Sequence, residues 1–206
     1  MYLTKQTLER LPQYLNCLKA LPADTVHISA TSIAASLGLN HVQVRKDLAQ
    51  ISTAGRPKVG YVKTELVRDI ENALGYNDAN DAVLVGVGNL GGALMKYEGF
   101  KEYGLNIVAG FDSNPLVVDE KKVFHIDRLE NLCKRLKIRI AIITTPAYCA
   151  QEICDRLISC GILAVWNFAP IHLNVPADII VQQENMSTSL AILSRHLSKR
   201  LHDNSD

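Results

Sequence analysis

Leucines recur every three or four positions through residues 7–20, where Leu8, Leu11, Leu15 and Leu18 share one side, and they predict an amphipathic helix. Pro12 lacks the N–H that a helix interior uses, so it is expected at a kink or in the first turn. A second helical stretch, Ile28 to Leu48, is interrupted at Gly38. Ser29 can cap its first half, Ala34 and Ala35 admit a closely crossing helix, Gly38 takes the tight turn, and Asn40 can cap the second half. Two short helices joined by a glycine turn form a helix-turn-helix. Val44, Leu48 and Ile51 mark the inward face of its second helix. A glycine- and proline-containing break, residues 54–60, then reads as the tip of a hairpin.

The pattern changes after the polar, turn-prone stretch 75–81. Residues 82–87, 105–111, 139–144, 162–166 and 178–181 are short apolar runs that predict strands, and 90–97, 127–136 and 147–159 predict helices between them. Near-continuous apolar strands alternating with helices imply a parallel sheet covered on both faces. Residues 186–202 form a last amphipathic helix, with Leu190, Leu193, Leu197 and Leu201 along one side. Such a stripe packs either on its own domain or on a partner chain.

The 206 residues suffice for one or two domains, and 48% hydrophobic with 21% charged residues suits a globular protein. No apolar run reaches the ~18 residues of a membrane span, and the N-terminal residues lack a signal-peptide core. A cytoplasmic protein without membrane attachment is expected. The five cysteines, with no CxxC pair, read as buried free thiols of a reducing compartment; a zinc site or a redox disulfide is the alternative.

A net charge of +1 carries no hint of nucleic acid, but its distribution does. Between residues 41 and 63 stand Arg45, Lys46, Arg56, Lys58 and Lys63 against a single acid, Asp47. His41, Gln43, Arg45 and Lys46 project from the N-terminal part of the second helix, where a recognition helix presents side chains to bases and phosphates. A cationic stripe followed by a hairpin fits DNA. A solvated surface, or a helix-turn-helix used for protein contacts, is the competing reading.

The first strand after the boundary runs into Gly86-Val87-Gly88-Asn89-Leu90-Gly91, a G-x-G-x-x-G, and then a helix. Gly86 permits the turn, Gly88 lets a pyrophosphate approach the backbone, and Gly91 lets helix and strand pack closely. The phosphates would rest on the helix N-terminus. The next strand ends in Asp112, placed to accept hydrogen bonds from a ribose diol and to repel a 2′-phosphate. No Arg or Lys follows until Lys121, which favours NAD(H) over NADP(H). Thr145 and Pro146 close one later strand, and Asn167, Phe168, Ala169 and Pro170 close another; both loops can face the crevice. Trp166 reads as core. A ligand-free glycine turn and another nucleotide-type ligand, notably coenzyme A, stay open.

None of His125, His172, His196 and His202 belongs to a recognisable catalytic pair, and no separate substrate domain is present. No metal-ligand spacing appears. A DNA reader joined to a dinucleotide binder suits a sensor whose ligand shifts a DNA-competent arrangement. A small NAD-dependent oxidoreductase is the alternative.

Taken together, Arg10-Leu11-Pro12, the run Gln43 to Leu48 (QVRKDL), Lys58-Val59-Gly60-Tyr61, the GVGNLG of 86–91, Phe111-Asp112, Pro146-Ala147 and Trp166 to Pro170 (WNFAP) resemble the Rex family of redox-sensing repressors. The resemblance implies an α/β chain. A winged helix-turn-helix would occupy 1–78, a Rossmann-like doubly wound parallel sheet 79–184, and a dimerisation helix exchanged between subunits 185–206. It implies a homodimer that binds double-stranded operator DNA when NADH is scarce and releases it as NADH/NAD+ rises, with no catalytic residues. Gly86, Val87, Gly88, Asn89, Leu90 and Gly91 would hold the pyrophosphate, Asp112 the ribose, and Asn167 to Pro170 would lie near the nicotinamide. Tyr97 matches a tyrosine at the switch, and Asn40, His41, Gln43, Arg45, Lys46, Arg56, Lys58 and Tyr61 would face DNA. Two positions depart from the family: Asn16 stands where many members carry Arg, and Ser187 or a neighbour where they carry Asp.

Overall fold

The computed structural model describes residues 3–78, 80–114 and 122–203. Ala79, Lys121 and the extreme ends of the expected first and last segments lie outside the described residues. The chain divides into two compact units, Met1–Ala79 with Glu102–Gly104, and Asn80–Lys101 with Leu105–Asp206.

In the first unit α1 (Lys5–Ala20) is followed by β1 (His27–Ile28), α2 (Ala30–Leu37), α3 (His41–Ile51), β2 (Tyr61–Val62) and α4 (Lys63–Leu74). Local chemistry sets the ends. The Ser29 hydroxyl accepts from Ser32 N–H to cap α2, Gly38 closes it at φ +65°, and Asn40 Oδ1 accepts from Val42 and Gln43 N–H to cap α3. Pro12 sits inside α1 rather than in its first turn. The missing bond there is offset by burial of Leu11, Tyr14, Leu15 and Leu18 against Ile33, Val44, Leu48, Leu66 and Ile70. The expected hairpin is short: β1 and β2 pair antiparallel over two residues each, and Arg56 bridges Gly60. Lys63, the last of the basic stripe, is the first residue of α4, with Nζ donating to the Pro22 carbonyl.

The second unit holds β3 (Asn80–Val85), α5 (Asn89–Lys96), β4 (Leu105–Asp112), β5 (Val123–His125), α6 (Leu129–Leu136), β6 (Ile140–Ile143), α7 (Ala147–Ser159), β7 (Ala164–Asn167), β8 (Ile180–Gln183) and α8 (Met186–Asp203). Its six described strands are all parallel, in the order β5-β4-β3-β6-β7-β8. The chain winds outward from β3 to β5, then restarts on the other side of β3 with β6. That reversal leaves a crevice beyond the carboxyl ends of β3 and β6.

The central parts of β3, β6 and β7 are apolar because both faces of the sheet are covered there, whereas Asn80 and Asp81 at the start of β3 and Gln182 of β8 are exposed. Val83, Val85, Ala141, Ile143 and Val165 pack with α6 and α7 residues such as Leu129, Cys133, Ile153 and Leu157 on one face. Leu84, Ile142 and Trp166 pack with Leu94 and Met95 of α5 on the other. Along α8 every described side chain is exposed, including Met186, Leu190, Leu193, Leu197 and Leu201.

Candidate functional site: a cationic groove and a glycine-lined crevice

In the first unit, the N-terminal turn of α2, Arg45 of α3 and the wing residues Arg56, Pro57, Lys58 and Tyr61 line a groove of about 590 Å³. The wing is held by two reciprocal bonds: Arg56 N–H donates to Gly60 O at 2.8 Å and Gly60 N–H to Arg56 O at 2.9 Å. Lys58 rides its tip in a left-handed conformation, φ +65°. Tyr61, expected among the DNA contacts, is mainly a core residue: it is 8% exposed, and its ring packs under Gly55. Next to the start of α3, Arg10, Leu39, Asn40, Val42, Gln43 and Lys46 line a second depression of about 420 Å³. His41 is exposed on the first turn of α3.

Asp47 is the departure from a surface reading. Its side chain is fully buried, and Arg10 clamps it with Nε to Oδ2 at 2.7 Å and Nη2 to Oδ1 at 2.9 Å. The Tyr14 hydroxyl donates to Oδ2 at 2.7 Å, Gln43 Nε2 to Oδ1 at 2.8 Å, and the Thr7 hydroxyl to Oδ1 at 3.4 Å. Burial opposes the charge, but the bonds from Arg10, Tyr14 and Gln43 outweigh it and hold the carboxyl below its usual range. The same cluster pushes Tyr14 up to about 12, burial first and the Asp47 bond second. Because Arg10 neutralises Asp47 inside the unit, the basic residues of the stripe face no acid on their own segment. Spacing could not reveal this, since Thr7, Arg10 and Tyr14 lie 33 to 40 residues before Asp47.

In the second unit, Gly86 turns the chain at φ +98°. The Thr144 hydroxyl donates to Gly86 O at 2.7 Å, and Gly91 abuts that carbonyl so closely that a methyl group would overlap it. A methyl group at Gly88 would instead meet nothing within 4 Å. Val87, Gly88, Asn89, Gly92, Ala93, Lys96, Asp112 and Asn114 line a crevice of about 620 Å³. Asp112 is fixed by two backbone donors, Val87 N–H to Oδ2 at 2.7 Å and Asn114 N–H to Oδ1 at 2.8 Å. Lys96, in the same crevice, escaped the sequence search for a cation because it precedes Asp112. Leu90 is part-exposed on the first turn of α5 and Pro146 is the N-cap residue of α7. Beside the Gly86 turn, Thr145 Oγ1 is buried with no hydrogen-bond partner among the described residues. A buried hydroxyl without a partner costs about 1–3 kcal/mol, and a polar ligand at the turn would relieve it.

The loop after β7 divides its duties. Asn167 is fully buried, accepting from Ala169 N–H and donating Nδ2 to Ile171 O and Gln183 Oε1, so it fastens the loop rather than facing the crevice. Ala169 is buried too. Phe168 and Pro170 do line a depression of about 560 Å³, together with His172, Glu184 and Ser187. Trp166 is partly buried, not pure core, and its Nε1 donates to Glu184 at 2.8 Å. A row of ring contacts runs from exposed Tyr97 through Phe100 and Trp166 to Phe168, with centroids 4.9, 5.6 and 4.9 Å apart. Asn16 and Ser187 are both exposed.

The cysteines of the described residues are all free. Burial pushes the Cys133 thiol up to about 12 and Cys154 up to about 11, which makes both poor nucleophiles. Among the described residues no cluster suits a metal ion, and no helix is long and apolar enough to cross a membrane.

Residues 3–49 match the family model described as putative DNA-binding protein N-terminus, and residues 77–171 match the CoA binding domain. A redox-sensing transcriptional repressor Rex from Treponema denticola is 43% identical over 192 residues, covering 91% of each chain. Its namesake from Streptomyces coelicolor is 37% identical over 199 residues, covering 94% of this chain and 77% of its own. The crystal structure of RSP with β-NAD+ and operator DNA superposes with a TM-score of 0.91 at 32% identity, covering 100% of this chain and 97% of RSP. RSP with β-NADH gives 0.87 at 31% identity, covering 100% of both chains.

Proposed function

The chain belongs to the Rex family of redox-sensing transcriptional repressors, and from that membership we propose a DNA-binding repressor that senses the NADH/NAD+ ratio. NADH taken up by the second unit releases operator DNA from the first. The observation that carries the reading is the open approach at Gly88, in one crevice with Asp112, beside a Gly86 turn that abuts Thr145, whose buried hydroxyl has no partner among the described residues.

The residues present fit a dinucleotide. Gly88 and the free N–H groups of Asn89 and Leu90 at the start of α5 receive the pyrophosphate. Gly86 and Gly91 keep turn, helix and strand close enough to form that cradle. Asp112, already oriented by two N–H groups, keeps lone pairs for a ribose diol. Phe168 and Pro170, fastened by Asn167, present an apolar wall to the nicotinamide, whose two redox states differ by a hydride and a charge. A neutral ring suits that wall better than a cation, which favours the reduced form. Tyr97, at the far end of the ring row from Phe168, passes on its displacement.

In the first unit Arg45, Arg56, Lys58 and Lys46 contact phosphates, and α3 enters the major groove. The apolar stripe of α8 packs on a second copy, making a homodimer that reads a palindrome. The protein acts as a regulator without catalysis. The redox signal arrives as a bound nucleotide; Cys133 and Cys154 are buried and protonated at neutral pH, although Cys17 and Cys149, expected buried, are partly exposed.

The test is fluorescence anisotropy with a labelled palindromic operator from upstream of the protein's own gene, repeated with NADH and with NAD+ at fixed salt. Release by NADH but not NAD+ is expected; binding indifferent to both refutes the sensor reading. The match of residues 77–171 to the CoA binding domain favours one second reading, coenzyme A as the ligand, and a coenzyme A arm of the same titration decides between them.

A further inference from the structure

Gln43 lies one turn before Asp47 on α3 and is exposed, yet its amide nitrogen is committed inward, Nε2 donating to Asp47 Oδ1 at 2.8 Å. An ionised carboxylate has only acceptors, so Gln43 can face it only through its NH2 group. Turning the amide over would set a carbonyl against a carboxylate. Asp47 is kept ionised by the two-pronged Arg10 clamp on both oxygens, with Tyr14 also donating to Oδ2, the oxygen that Gln43 does not use. The outward edge of Gln43 is therefore fixed: the Oε1 acceptor and the second N–H, side by side, beside the depression lined by Arg10, Asn40 and Lys46.

An acceptor next to a donor on one planar group complements the N6 amino group and N7 of adenine in the major groove, and not the two acceptors of guanine. We propose that Gln43 reads an adenine in each operator half-site, and that Arg10 and Asp47 are positioning residues that set the polarity of its amide. This rests on the winged-helix reading of the first unit.

The experiment measures anisotropy of full-length protein on a panel of duplexes in which each base pair of the upstream half-site is changed in turn, symmetrically. Wild-type protein should lose about 5- to 150-fold in affinity when one A·T pair becomes G·C. Gln43→Ala should flatten the profile at that position alone, with NADH binding unchanged. Replacing that adenine by 7-deazaadenine, which lacks the N7 acceptor, should weaken wild-type binding but not Gln43→Ala. Arg10→Lys keeps a cation but cannot make both bonds; it should relax discrimination at the same position without touching DNA, an effect that general loosening of the fold would spread over all positions. A Gln43→Ala profile identical to wild type, or a guanine preference at the position Gln43 controls, overturns the proposal while leaving the repressor reading intact. Wild-type protein that binds no member of the panel overturns the winged-helix reading, and the proposal with it. If Arg10→Lys fails to fold, Gln43→Ala and the 7-deazaadenine duplex still decide.

Discussion

Replacing Gly88 by alanine separates ligand binding from stability, because the two demands on this residue come from different states of the molecule. Its backbone is extended, φ −78° and ψ −159°, which any residue adopts, and the added methyl group would meet no atom within 4 Å. The free protein should accept alanine without strain. Its stability should be unchanged or raised by about 0.4–1 kcal/mol, as the unfolded chain loses freedom. The same methyl group occupies the space through which a pyrophosphate must reach the N–H groups of α5. Forcing a group into filled space costs about 1–3 kcal/mol, so NADH affinity should fall about 5- to 150-fold. Gly91→Ala is the contrasting control. There the methyl group overlaps the Gly86 carbonyl and lies 2.8 Å from Thr144 Oγ1, so α5 must move off the sheet and the melting temperature should drop. The titration can be followed through Trp166, the single tryptophan, whose ring packs on Phe168 with centroids 4.9 Å apart. Thermal melting of the same samples supplies stability. Gly88→Ala that melts like wild type and also binds NADH like wild type would refute the phosphate cradle.

Four further outcomes are expected. Asp112→Ala should weaken NADH binding about tenfold or more and narrow the preference over NADPH, read by parallel titrations of the two cofactors; an unchanged NADH curve would place the ribose elsewhere. Arg45→Ala and Lys58→Ala should each lower operator affinity and reduce the slope of log affinity against log salt by about 1, with NADH binding intact. Leu193→Glu together with Leu197→Glu should convert dimer to monomer in sedimentation velocity, since both side chains lie on the exposed stripe of α8. For pH, Asp47 ionises below its usual range when folded, so it contributes stability above its unfolded value near about 4 and loses it as pH falls through the lower folded value; melting of the first unit should therefore decline in acid, and less steeply in Asp47→Asn.

Much of the fold is legible in the chain because its causes are local. The periodicity of Leu11, Leu15 and Leu18, the caps Ser29 and Asn40, the turn at Gly38 and the range of α7 all depend on neighbours within a few residues. The same holds for the glycine turn after β3, where the backbone itself dictates which residue is tolerated. Strand β5 escaped notice because three residues carry too little pattern, and it exists through pairing with Gly110, Phe111 and Asp112 of β4.

By itself the sequence determined the amphipathic helices, the apolar centres of the strands, the glycine turn after β3 and the basic stripe. Only the tertiary structure decided what each polar residue does. Asp47 read as a stray acid on a basic surface and is a buried anchor with five donors around it. Asn167 read as a contact and is a buried loop fastener, and Tyr61 read as a contact and lines the groove with a ring that is largely core. Thr145 read only as part of a strand-end loop facing the crevice; beside it Thr144 locks the glycine turn, while the Thr145 hydroxyl is buried with no partner among the described residues. The physical reason is range. An apolar residue announces its burial through a repeat along the chain, whereas a polar group is defined by the partner that satisfies it. For Asp47 and Thr144 those partners arrive from elements dozens of residues away, once the core has brought them together.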